Sequence, residues 1–211
     1  SYAQKQWNDT AFELFQKTRN SLLEKAKNEE IKVEELNCTL ILIIKTDWGF
    51  LSANIGDGRA GFSDGTPKEL IVPFMTYTAG ATYFLIKEGW DNIYRSYVTI
   101  LENADNLQYF FATSDGCQEF IIDWSQKGPK NGIYDDILGN EAFYDSNKPY
   151  PPFFDGLIKS LNEASSNEEI NERLRNLVEN GIYLLNGESK ELKSISSPLL
   201  DDDKTFILFF K

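Results

Sequence analysis

The stretch CTLILIIKTDWGFLSANIGDGR, residues 38–59, decides how this chain is read. Its first part, Cys38-Thr-Leu-Ile-Leu-Ile-Ile44, is short, β-branched and unbroken, the pattern of a strand buried on both faces. Thr46-Asp-Trp-Gly49 is a turn, and Phe50 to Ile55 returns as a second strand to close a hairpin. That strand runs into Gly56-Asp57-Gly58-Arg59, so an aspartate stands where a strand gives way to a turn.

Working outward, Trp7, Ala11, Leu14, Phe15, Leu22 and Leu23 fall at helical spacings and predict a helix over roughly 7–28. Its aromatics Trp7, Phe12 and Phe15 read as core. Downstream, Ala60 to Ser63 and the Asp64-Gly65 turn predict a further strand and hairpin. Leu107 to Thr113 is another buried strand, stopped by Ser114-Asp115-Gly116. Residues 125–155 are rich in Gly, Pro, Asn, Asp and Tyr and read mainly as loop, with one short helix near Tyr134 to Leu138. The aromatic stretch around Tyr144 and Pro149 to Phe154 reads either as a recognition surface or as a loop packed onto the core. Helical periodicity returns over Phe154 to Leu161 and Glu168 to Val178, with Ser165-Ser166-Asn167 as an N-cap signal. The chain closes with Thr205 to Phe210, an apolar strand behind the acidic run Asp201-Asp202-Asp203.

Composition limits the chemistry. A chain of 211 residues supports one sizeable core, and the expectation is one domain over 1–211. The longest apolar stretch, Leu40 to Ile44, is far short of the roughly 20 residues a membrane helix needs, and no basic-then-apolar signal opens the chain. A formal charge of −12 with scattered Lys and Arg argues against nucleic-acid partners and suits cations. Cys38 and Cys117 sit in different contexts and read as two reduced thiols, Cys117 as a small space-filler, and the expected location is cytoplasmic. With no His in the chain, a Ser-His-Asp triad, a Cys-His pair and a His-ligated zinc site are excluded for this sequence. Any metal is held by oxygen.

Three acidic motifs then stand out by position. Asp57 follows one strand, Asp115 follows another, and Asp202 precedes the last. Singly each is weak, since Asp-Gly is a common turn dipeptide and an Asp triplet is usually a solvated loop. Together they place carboxylates at separately anchored strand ends, which suits hard divalent cations such as Mg²⁺ and Mn²⁺.

In this order the motifs resemble the metal-dependent type 2C protein serine/threonine phosphatases, in particular their bacterial branch. Ile55-Gly-Asp-Gly-Arg59 is similar to that family's Gly-Asp-(Ser or Gly)-Arg hairpin end. Thr113-Ser-Asp-Gly116 is similar to its Ser-Asp-Gly motif, and Asp202-Asp-Lys-Thr205 to its closing Asp-(Asn or Asp)-x-Thr. The segment Thr76 to Leu85 is a less specific match. The resemblance implies an α+β fold of two stacked antiparallel β-sheets flanked by helices, an α-β-β-α sandwich with the metal cluster at one sheet edge. It implies that Asp115 and Asp202 ligate a two-metal Mn²⁺ or Mg²⁺ centre and that Asp57 helps hold a third ion. Glu119 stands where the family commonly has Asp, as a further ligand, while Gly58 and Gly116 shape the backbone of the site. Arg59 braces the turn. The implied activity is hydrolysis of phosphoserine or phosphothreonine in proteins by a metal-activated water, without a covalent phosphoenzyme. The partner is a phosphorylated protein.

The resemblance also has a gap. Members ordinarily open with a strand pair carrying an Asp-Gly metal motif before the first long helix, and this sequence begins at that helix. A domain incomplete at its N-terminus is therefore expected, as a fragment, as one of two chains that share the fold, or as a member that binds or regulates without catalysing. Loops 64–82 and 125–155 are the candidates for substrate selection.

Overall fold

The computed structural model describes residues 1–76, 82–117, 121–122, 132–134, 142–145, 148–180, 182–185, 188–191 and 205–211. Its first element, α1 (Tyr2–Asn28), starts five residues earlier than its apolar spacing predicts. Ser1 is the N-cap, its hydroxyl accepting from the Gln4 N–H at 3.3 Å. The added turn is useful elsewhere, as β6 shows.

The predicted hairpin forms as β1 (Leu40–Thr46) and β2 (Gly49–Ile55), paired antiparallel from Leu40 opposite Ile55 to Thr46 opposite Gly49. The strands β3 (Arg59–Ser63), β4 (Pro67–Ile71) and β5 (Phe74–Thr76) follow. After α2 (Trp90–Ile93) comes β6 (Arg95–Ile100), which the sequence did not announce. Its register against β2 runs from Gly49 opposite Ile100 to Asn54 opposite Arg95. Along its other edge the Gln4 side chain takes the place of a neighbouring strand. Nε2 donates to Ser96 O at 3.0 Å and Oε1 accepts from the Val98 N–H at 2.9 Å.

Sheet 1 has the order β1-β2-β6. The strand β7 (Tyr109–Thr113) is shorter than the predicted Leu107 to Thr113, and β12 (Phe206–Phe210) closes the chain. They join β3 and β4 in sheet 2, of order β12-β7-β3-β4. The register places Thr113 opposite both Arg59 and Phe206.

Between the sheets the aromatics interlock. Phe50 of β2 lies 5.3 Å from Phe62 of β3 and 5.4 Å, edge-on, from Phe110 of β7. On the outer face of sheet 1, Trp7, Ala11 and Phe15 of α1 are buried against Ala53, Ile55, Leu85 and Trp90. The Trp7 Nε1–H donates to Ser52 O at 2.8 Å, so the indole is buried with its polar atom satisfied. Phe12 stacks on Trp90 at 5.0 Å. The outer face of sheet 2 is covered by α3 (Pro151–Asn162) and α4 (Asn167–Asn180), with Phe154 stacked on Tyr109 at 4.6 Å and against Phe111 at 4.6 Å. The layer order is helix, sheet, sheet, helix, the expected α+β sandwich of two antiparallel sheets.

Several readings change. The β1 strand is half-buried rather than buried on both faces. Leu40 and Leu42 pack toward α1, and Ile41 and Ile43 toward sheet 2, but among the described residues one edge of the strand carries no partner. Tyr134 ends a strand, β8 (Gly132–Tyr134), instead of opening a helix. That strand pairs with β9 (Ala142–Asp145), which pairs in turn with β5. The rest of the predicted helix, 135–138, lies outside the described residues. A hairpin of β10 (Ile182–Leu185) and β11 (Glu188–Glu191) was not foreseen. In the aromatic stretch, Phe153 and Phe154 open α3 and are buried in the core, which favours packing there, while Tyr150 remains exposed.

Candidate metal-binding site

The register of sheet 2 decides where the acidic motifs fall. Arg59, Thr113 and Phe206 stand abreast on three neighbouring strands, roughly 5 Å apart from one to the next. The strand β3 enters at that level, β7 leaves at it and β12 enters at it. Asp57 is two residues before Arg59, and Asp115 two residues after Thr113. Asp202 is four residues before Phe206 and itself lies outside the described residues, as does Glu119.

Local backbone chemistry fixes the two described aspartates. Gly56 holds φ +101°, where an L side chain is strained, and a Cβ there would meet Thr39 Cγ2 at 2.3 Å. At Gly58 a Cβ would lie 2.9 Å from both Ile41 Cδ1 and Thr113 O, so only glycine lets the turn pass between β1 and β7. Asp57 is thereby pressed against the sandwich. Asp115 opens a short 3₁₀ turn, Asp115–Cys117, and its Oδ1 accepts from the Gly116 N–H at 3.0 Å. Cys117 is fully buried and packs among Tyr109, Phe111 and Phe154, as a space-filler does.

Electrostatics show that the two carboxylates share one locale. The Asp57 pKa is raised, first by burial and next by the negative charge of Asp115. Arg59, itself only 2% exposed in β3, favours the charged form and offsets part of this. So does the Thr82 hydroxyl, which lies beside the carboxyl without closing a hydrogen bond of normal geometry. Thr82 had no signal in the sequence, because nothing local links it to the Asp57 turn. Beside the pair, a cleft of about 500 Å³ opens between the two sheets, lined by Ile41, Ile43, Ala112, Gly58, Ser114 and Thr205 among others.

Two buried or half-buried carboxylates that repel each other are a donor set for a hard cation. Among the described residues no three Cys, Asp or Glu side chains gather to hold an ion. The oxygen chemistry of the pair fits Mg²⁺ or Mn²⁺.

A family model described as Protein phosphatase 2C matches residues 1–175. The chain belongs to the protein phosphatase 2C family. The match includes Asp57, Asp115 and Glu119 and ends before Asp202. No curated protein and no solved structure matches the chain. Among the described residues, no helix of this protein phosphatase 2C member is long and apolar enough to cross a membrane.

Proposed function

We propose that the chain is a metal-dependent protein phosphatase domain that hydrolyses phosphoserine or phosphothreonine esters, with Mn²⁺ or Mg²⁺ at the carboxylate end of sheet 2. Membership of the protein phosphatase 2C family supports the reaction class. The observation that carries the placement is the repulsion between Asp57 and Asp115 at the level where β3, β7 and β12 begin or end.

In this reading Asp115 and Asp202 hold the principal ions, and Asp57 and Glu119 an accessory one. Ions held there would supply Lewis-acid charge for the phosphate and would lower the pKa of water toward neutrality. Asp57 and Asp115 provide the negative potential that keeps the cations in place. Buried Arg59 braces the Asp57 turn from inside the sheet. The cations also explain how a chain of net charge −12 accepts an anionic substrate, because local charge at contact distance outweighs a screened global field.

The test is Mn²⁺-dependent release of phosphate from p-nitrophenyl phosphate and from a phosphothreonine peptide. Wild type is expected to turn over, and Asp115→Asn and Asp202→Asn to lose activity by 10²-fold or more, about the effect of removing a preorganised catalytic charge. Activity that survives both substitutions overturns the assignment.

A further inference from the structure

The turn carrying Asp115 is fastened to the strand that follows Asp202 by three hydrogen bonds. The Ser114 N–H donates to Thr205 O at 3.0 Å, and the Thr205 N–H donates back to Ser114 Oγ at 2.9 Å. Thr113 Oγ1 donates to the same Thr205 carbonyl at 2.9 Å, with Ser114 O as its second acceptor at 3.0 Å. The backbone bond extends the β7–β12 ladder by one step beyond the pair of Thr113 and Phe206. The two hydroxyl bonds are additions that an apolar side chain cannot make.

This clasp stands directly between two acidic motifs. Asp115 is the next residue after Ser114. Asp202 is three residues before Thr205, and three residues span at most about 11 Å even when fully extended. The clasp therefore ties the Asp115 turn to the residue that leads into β12.

We propose that Ser114 is a positioning residue, whose hydroxyl holds the Asp115 turn ready to take up a divalent cation. The inference rests on the metal reading above and adds a named residue and a role to it. Groups that orient ligands rather than touch the ion typically change metal affinity by about 10- to 100-fold.

The experiment titrates Mn²⁺ into the 211-residue chain, following the free-ion electron paramagnetic resonance signal at a temperature where every variant is folded. The expected result is that Ser114→Ala weakens binding about tenfold, Ser114→Thr, which restores a hydroxyl, stays close to wild type, and Thr113→Val weakens binding to a smaller degree. A merely structural role lowers the metal-free melting temperature and leaves the affinity of the folded chain unchanged. Should Ser114→Ala fail to fold, Thr113→Val carries the test, and binding equal to wild type overturns the clasp. Wild-type binding left unaltered by Ser114→Ala overturns the clasp alone. A wild-type chain that takes up no Mn²⁺ overturns the metal reading, and the clasp with it.

Discussion

Asp57 carries a cost from its burial and from the charge of Asp115. Burial and the Asp115 charge raise its pKa above the ordinary 3.8, so the folded chain holds this proton more tightly than the unfolded one. The contribution of Asp57 to metal-free stability therefore falls as pH rises through the ordinary carboxylate range and on to the raised Asp57 value, and levels off above it. Asp57→Asn removes the charge while keeping the shape. In EDTA at pH 7 it should melt higher than wild type. The gain should shrink toward pH 4, where wild-type Asp57 is protonating as well. Melting curves across that range decide it, and a variant that melts lower throughout removes the case for strain at this carboxyl. Gly56 and Gly58 were legible as turn residues from the motif alone. The reason both positions exclude a side chain was not, because the obstructing atoms belong to Thr39, Ile41 and Thr113.

At the scale of elements, α4 shows a start signal that the sequence states in full. Ser166 caps α4 and Glu169 closes a variant of the capping box that reaches one residue further back, the Glu169 N–H donating to Ser166 Oγ at 3.2 Å. The Glu169 carboxylate accepts from the Ser165 N–H at 2.8 Å and the Ser165 hydroxyl at 2.7 Å, and pairs with Arg173. Arg173 also donates to Ser160 O, tying α4 to α3. These donors, led by the Ser165 N–H, lower the Glu169 pKa from 4.5 to about 2. The stabilisation is complete above the ordinary glutamate value and is lost as pH falls toward 2. Glu169→Gln should lower the urea midpoint at pH 6 and converge with wild type as pH approaches 2. Ser166→Ala should cost about 1 kcal/mol. Equal midpoints for Glu169→Gln and wild type at pH 6 would show that the box adds nothing to the fold. By contrast β6 gave no local signal. Its residues Arg95 to Ile100 mix polar and apolar types, and the strand is specified by β2 on one edge and by the Gln4 amide on the other.

Across the whole molecule, the two faces of sheet 2 differ in how completely they are covered. Phe111 is 1% exposed under α3, whereas Phe209, stacked on Phe110 at 5.0 Å on the opposite face, is 53% exposed, and Ile207 beside it is 61% exposed. Among the described residues sheet 1 has three strands against four in sheet 2. Phe111→Ala should cost about 3–5 kcal/mol in urea unfolding, because it leaves a cavity beneath a helix. Phe209→Ala should cost about 1 kcal/mol or less, since the ring is already half in water. Similar losses for both would mean that the β12 face is covered in solution. If the carboxylate end holds Mn²⁺, the ion at 100 times its Kd should add about 2.7 kcal/mol to the stability of wild type, with Asp115→Asn gaining far less.

Sequence alone determined what is written in neighbouring residues: the β1–β2 hairpin, the helix spacing of α1, the N-cap signal of α4, and the three acidic motifs at strand ends. These follow from propensity, periodicity and turn chemistry, which act over a few residues. Tertiary structure decided what depends on residues far apart. Only the register of β3, β7 and β12 brings Arg59, Thr113 and Phe206 to one level, and only packing across some 60 residues lets the Asp115 charge act on Asp57. A local pattern can say that a strand ends in an aspartate. Which other strand ends lie beside it is set by pairing between strands that enter the fold at widely separated points of the chain, and the repulsion between these carboxylates exists only after that pairing has formed.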